Sequence, residues 1–262
     1  AILSAQSSPR PAILSAQSSP DPALLSAQSS PRPAILSAQS SPAPPIYLGV
    51  SAGMTLRWQE GTMLTSDGYY DCCSFTGGNG VGFAAGARLL YPLSNSIFLR
   101  VGLGWEYAVS DFSSERKSYP ILGQGNTVEY VDFQDDLAIT FPAIQTDAGV
   151  VLMIIDPGLY ITAGPAVTIP FPPTWKQTET ITGPVGVKYL DGGISRVLFD
   201  TDIPQTRPFV SLRFGGGALI PVTNAITISP EMTYSIPLME MQPDFKWSVS
   251  GIELTIVAMM RL

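Results

Sequence analysis

The stretch IYLGVSAGMTLRW, residues 46–58, alternates in polarity without a break. Ile46, Leu48, Val50, Ala52, Met54, Leu56 and Trp58 fall on one side of an extended chain. Tyr47, Gly49, Ser51, Gly53, Thr55 and Arg57 fall on the other, because successive strand side chains point to opposite faces. Thirteen residues of strict alternation exceed an ordinary strand of about 5–6 and suit a tilted strand that crosses a bilayer.

The same period of two recurs in segments 80–91, 97–109, 136–155, 159–171, 207–220, 225–237 and 245–262, which makes eight strands. Segment 136–155 is the least regular: Pro142 and the parity of Gln145 and Asp147 predict a bulge or register change there. The connections alternate in length. Polar stretches 59–79, 110–135 and 172–206, and a modest loop 238–244, are long; turns 92–96, 156–158 and 221–224 are short. The longest of them has room for a hairpin around 185–199. Long and short connections in alternation are the rhythm of an up-and-down membrane barrel, and an even strand count puts both termini on the short-turn side. The expected fold class is all-β: an eight-stranded antiparallel up-and-down transmembrane β-barrel over 46–262, with an extended Pro-rich repeat tail over 1–45.

Composition agrees. Apolar residues make up 45% of the chain and charged ones only 13%, about half the usual charged share. The mean hydropathy is +0.22, yet no run of about 18 apolar residues offers a spanning helix. A net charge of −7 argues against nucleic acid, whose phosphates require a basic surface. With no His at all, and Cys72 and Cys73 as the only cysteines, a metal site is not expected. Starting at Ala1 rather than Met reads as the scar of a removed secretory signal. Cys72 and Cys73, in a long connection, are candidates for a vicinal disulfide, with cross-links between chains or free thiols as alternatives.

From residue 46 onward the chain resembles the OmpA/OmpX-like eight-stranded outer-membrane barrels. The resemblance rests on four hairpins joined by the turns PLSNS, IDPG and PVTN, and on ITFPAIQTDAG followed by LYITAGPAV. The last two look like the middle hairpin of the barrel domain common in Bacteroidetes-type outer-membrane proteins. Because the resemblance stops with the barrel, wall anchoring through a peptidoglycan-binding domain is not expected, and Leu262 stands where an aromatic residue is usual.

The inward set should contain Arg57, Arg88, Arg100, Arg213, Glu106, Glu231, Glu253 and Asp147. Four charges of each sign persist in a narrow barrel only when paired, so they are expected to form a salt-bridged plug. Trp58, Tyr91, Trp105, Tyr107, Tyr234 and Trp247 read as an interfacial girdle. An enzyme is not expected. Hydroxyl nucleophiles usually need a nearby His, and the acidic pair Asp135 and Asp136 points to opposite faces of a strand. No cofactor is implied.

Residues 1–44 write one phrase four times: AILSAQSSPRP, AILSAQSSPDP, ALLSAQSSPRP and AILSAQSSPAP. Each copy has too little apolar area to offset the entropy of ordering itself, so alone it reads as a linker with stiff Pro joints. Its one greasy feature is the pair Ile2–Leu3, Ile13–Leu14, Leu24–Leu25 or Ile35–Leu36. Four like anchors call for four like surfaces, which an array of identical barrels provides. Eleven residues reach at most about 36 Å, the order of one barrel spacing. The expected function is a structural barrel that self-assembles into an ordered array, tube or filament through repeats docked on neighbouring copies. Its partners are then copies of itself and the lipid bilayer or lipopolysaccharide. Its place is the bacterial outer membrane or a structure derived from it, with the tail periplasmic or lumenal. The alternatives are a discrete barrel with adhesive outer loops, and a narrow channel or lipid-acting enzyme.

Overall fold

Alternating polarity becomes extended chain wherever two neighbours can satisfy its backbone. The structure, a computed structural model, describes residues 44–66, 71–122, 127–155, 158–203, 206–241 and 247–262, with the backbone alone for 62–66 and 71–74. The repeat anchors Ile2, Leu3, Ile13, Leu14, Leu24, Leu25, Ile35 and Leu36 lie outside these residues, as do the side chains of Cys72 and Cys73. The strands are β1 (Tyr47–Ser66), β2 (Asp71–Pro92), β3 (Ile97–Ser113), β4 (Lys117–Leu122), β5 (Val128–Met153) and β6 (Leu159–Pro170). They continue with β7 (Thr174–Gly183), β8 (Ser195–Asp202), β9 (Phe209–Ala218), β10 (Ile220–Pro221), β11 (Ile226–Pro237) and β12 (Trp247–Arg261).

Eight of them pair in the order β3-β2-β1-β12-β11-β9-β6-β5, every pair antiparallel, and β3 pairs with β5 to close the ring. The closing ladder runs without a shift from Ile97↔Leu152 to Ser113↔Asp136. A closed ladder leaves no open edge around the wall, which is what an eight-stranded barrel achieves. Its exterior is apolar: Val50, Met54, Phe83, Leu103, Ile161 and Ile256 are all exposed.

Three sequence expectations need correction. Segment 136–155 carries no bulge within the barrel wall. β5 keeps one register against β3 and pairs with β6 from Ala143↔Pro170 to Met153↔Tyr160. Leu137, Ile139, Phe141, Ala143, Gln145 and Asp147 all point inward. Chemistry changes along the barrel axis there, and parity does not. Pro142 is tolerated because its backbone faces the spot where β6 ends, and its carbonyl accepts from Phe171 N at 2.9 Å.

Second, the long connections are largely strand. β4 pairs along β5 (Lys117↔Phe133), β7 pairs along its other edge (Asp136↔Thr178), and β8 pairs with β7. The 26-residue β5 thus runs from the barrel wall into a four-stranded ribbon. The expected hairpin around 185–199 is wider, from Thr174 to Asp202. Third, Trp247 is not part of a girdle. It is wholly buried inside the barrel, whereas Trp58, Trp105 and Tyr91 are exposed on the outside.

Inward glycines make room for long side chains. A Cβ on Gly251 would lie 2.7 Å from Arg57 Cδ, and one on Gly102 would collide with the Asp147 carboxylate. We therefore expect Gly102→Val or Gly251→Val to lower the unfolding free energy by about 1–3 kcal/mol. The outward Ala52→Val should change it by less than about 0.5 kcal/mol. Urea titration of the folded barrel measures both.

Candidate functional site

Each inward arginine faces a glycine on at least one neighbouring strand. Arg57 stands between Gly80 and Gly251, Arg88 between Gly49 and Gly102, Arg100 beside Gly149, and Arg213 beside Gly164. That spacing lets guanidinium groups bend into the middle of a barrel too narrow for side chains from every position.

There the structure brings together all eight charges named from the sequence. Six form a closed cycle of alternating sign. Arg88 pairs with Glu231 and with Glu253 (3.2 Å), and Arg100 pairs with Glu231 (3.6 Å) and Asp147 (2.9 Å). Arg213 pairs with Asp147 (3.7 Å) and Glu253. Around the ring the order is Arg88, Glu231, Arg100, Asp147, Arg213, Glu253 and back to Arg88. The remaining two, Arg57 and Glu106, form a separate two-pronged pair whose Nε donates to Oε1 at 2.5 Å. All eight groups are buried.

Neutral groups complete the network. The Tyr160 hydroxyl donates to Glu231 at 2.5 Å and lies 2.7 Å from Ser229 Oγ. Arg213 donates to Gln145 Oε1 and to Thr233 Oγ1, both at 2.9 Å. Tyr160, Gln145 and Thr233 carry no charge and so give no signal of a network in the sequence, although parity puts each of them inward. With Tyr160 from β6 and Arg57 from β1, all eight wall strands contribute to the cluster.

Apolar groups close both ends of this polar layer. Towards the long hairpins, Phe75, Phe112, Phe141, Ile203, Phe209 and Trp247 are part of one buried cluster. Trp247 Nε1 donates to Gln59 Oε1 at 2.9 Å, and Gln59 donates to Ser110 at 2.6 Å. Towards the short turns, Leu90, Phe98, Val151, Met153, Leu219 and Met259 form a second cluster. The void beside the ring, lined in part by Ser51, Gly102, Gln145 and Arg213, measures about 20 Å³, room for one water molecule. Such an interior can hold strands together and exclude bulk solvent. Above the barrel, the ribbon carries Tyr119, Phe133 and Tyr189 in contact, with the Arg196 guanidinium 4.8 Å over Tyr189. Burial, then the Glu179 carboxylate to which Tyr189 donates at 2.7 Å, push that phenol up.

No protein-family model matches the chain, and no curated protein sequence matches it. Solved structures similar to it are outer-membrane proteins. Ail, the attachment invasion locus protein of Yersinia pestis, is 15% identical over 82% of this chain and 98% of its own, with a TM-score of 0.31. Neisserial surface protein A is 12% identical over 85% and 100%, with a TM-score of 0.35. The protease OmpT of Escherichia coli is 9% identical over 84% and 97%, with a TM-score of 0.28. The fold itself rests on the closed ladder.

Removing one member of a buried ion pair strands its partner, whereas removing both does not. Arg100→Ala should therefore cost about 3–5 kcal/mol in denaturant unfolding, by leaving Asp147 and Glu231 one partner short. The double change Arg57→Met with Glu106→Leu should stay within about 1 kcal/mol of the parent or stabilise it. Urea titration of both variants, followed by the shift of the unheated band on a gel, checks the contrast.

Proposed function

We propose that the chain is a structural barrel of the bacterial outer membrane that assembles into an ordered array, tube or filament through its N-terminal repeats. The observation that carries this reading is the packed interior: among the described residues, two apolar clusters and a charge ring fill the middle of the barrel. The surface that the described residues offer to other molecules is the outside of the wall. The exposed aliphatic wall fits the hydrocarbon of a bilayer or the acyl chains of lipopolysaccharide, since no aqueous surface tolerates so continuous an apolar belt. Within this class, the β5–β6 hairpin carrying ITFPAIQTDAG and LYITAGPAV supports affiliation with the Bacteroidetes-type barrel domain.

The repeats supply the assembly. The chain enters the barrel at the short-turn end, where Leu262 N donates to Ile46 O at 2.9 Å; in this reading that end faces the periplasm. Each docks on a neighbouring copy through its Ile–Leu or Leu–Leu pair. Modest affinity per copy becomes strong avidity over four linked copies. Contacts of this head-to-tail kind that do not close give open arrays. A second reading, a discrete barrel with partner-binding hairpins, draws support from the β4–β5–β7–β8 ribbon, where Val185 and Leu190 are fully exposed. Neither reading assigns catalysis or a cofactor.

Deleting residues 1–44 separates the two. Under the assembly reading, electron images of the deleted protein show dispersed particles, while the barrel keeps its heat-dependent gel mobility. Arrays that persist without the repeats overturn it.

A further inference from the structure

Three short connections lie at the short-turn end, and the first and third are built alike. Their sequences are LSNSI (93–97), IDPGL (155–159) and VTNAI (222–226). In the first and third the residue after the strand donates its backbone N–H to the carbonyl of the last: Leu93 to Ile97 and Val222 to Ile226, both at 2.9 Å; in the second, which is one residue longer, Ile154 and Ile155 both donate to Leu159, at 2.8 and 3.2 Å. In two of them the second residue closes the turn from its side chain. Ser94 Oγ accepts from Ile97 N at 3.1 Å, and Thr223 Oγ1 accepts from Ile226 N at 3.0 Å.

The first position of each turn uses only its backbone in this geometry, so its side chain is a free choice. All three are nevertheless aliphatic, and all three are exposed: Leu93 at 59%, Ile155 at 57% and Val222 at 57%. They contribute nothing to the buried clusters inside the barrel. Three exposed apolar knobs on one rim are what a partner with a repeated apolar anchor would need.

The same end is where a 43-residue segment outside the described structure joins the barrel at Pro44. That segment repeats one aliphatic pair every 11 residues. We infer that the rim of short turns is the docking face for the repeats of neighbouring copies, each Ile–Leu or Leu–Leu pair seating against Leu93, Ile155 or Val222. This rests on the assembly reading and supplies its site. Pro44 and Pro45 fix two successive φ angles where the segment joins the barrel. Because each barrel carries three exposed aliphatic positions on this rim, an incoming tail can engage in several rotational settings, which suits a sheet that curves into a tube.

A photo-reactive phenylalanine analogue placed at Leu14 and at Leu25 of the full chain tests this. Isotopically labelled and unlabelled copies are mixed, assembled, irradiated and digested. The expected adducts join a labelled repeat peptide to unlabelled turn peptides containing Leu93, Ile155 or Val222. The full-length triple variant Leu93→Ser, Ile155→Ser and Val222→Ser should lower their yield at least tenfold, with the heat-dependent gel shift of a folded barrel unchanged. Adducts between copies that land on the hairpins or the outer wall overturn the rim as the site and leave the assembly reading standing. Adducts confined to a single copy, or none in material that forms no arrays, overturn both.

Discussion

Burying eight ionised groups in a cylinder only eight strands around is the constraint that everything else in this molecule answers to. A lone charge moved out of water costs several kcal/mol, and a pair recovers that cost only with good geometry and full hydrogen bonding. The alternating cycle from Arg88 through Glu231, Arg100, Asp147, Arg213 and Glu253 gives each of its members two partners of opposite sign. Arrangement of that kind fixes which strand may sit where: sliding a strand by one residue would turn its charge out through the wall.

The small residues follow from the same constraint. Long guanidinium groups meet over the axis only if the positions beside them stay empty, and Gly49, Gly80, Gly102, Gly149, Gly164 and Gly251 keep them so. The apolar clusters at either end shield the ring from water, which strengthens each pair and raises the penalty for breaking one. A wall that is polar within and greasy without then has one natural solvent on its outside. The chain enters the wall at one end, at Pro44 and Pro45, and the ribbon rises at the other.

Much of this was legible in the sequence, and the reasons for the failures are physical. Parity alone collects Arg57, Arg88, Arg100, Glu106, Asp147, Arg213, Glu231 and Glu253, because the strand period is exact wherever the wall is regular. Who pairs with whom was not legible. Arg57 and Glu106 sit on strands separated by β2, and Arg88 meets Glu231 across the lumen, so no ladder register predicts either contact. Equating inward with polar failed at Phe141 and Trp247, where the barrel is packed like a soluble core. The ribbon was mistaken for loop because stretches such as KQTET in β7 are polar on both faces.

The claim on which the account stands is that this interior is shut. Single-channel recording of the full chain in a planar bilayer tests it most directly. The filled interior predicts a flat trace at all moderate voltages. Discrete conductance steps that disappear in the Arg100→Ala variant would contradict it, because they would mean that ions pass through the ring.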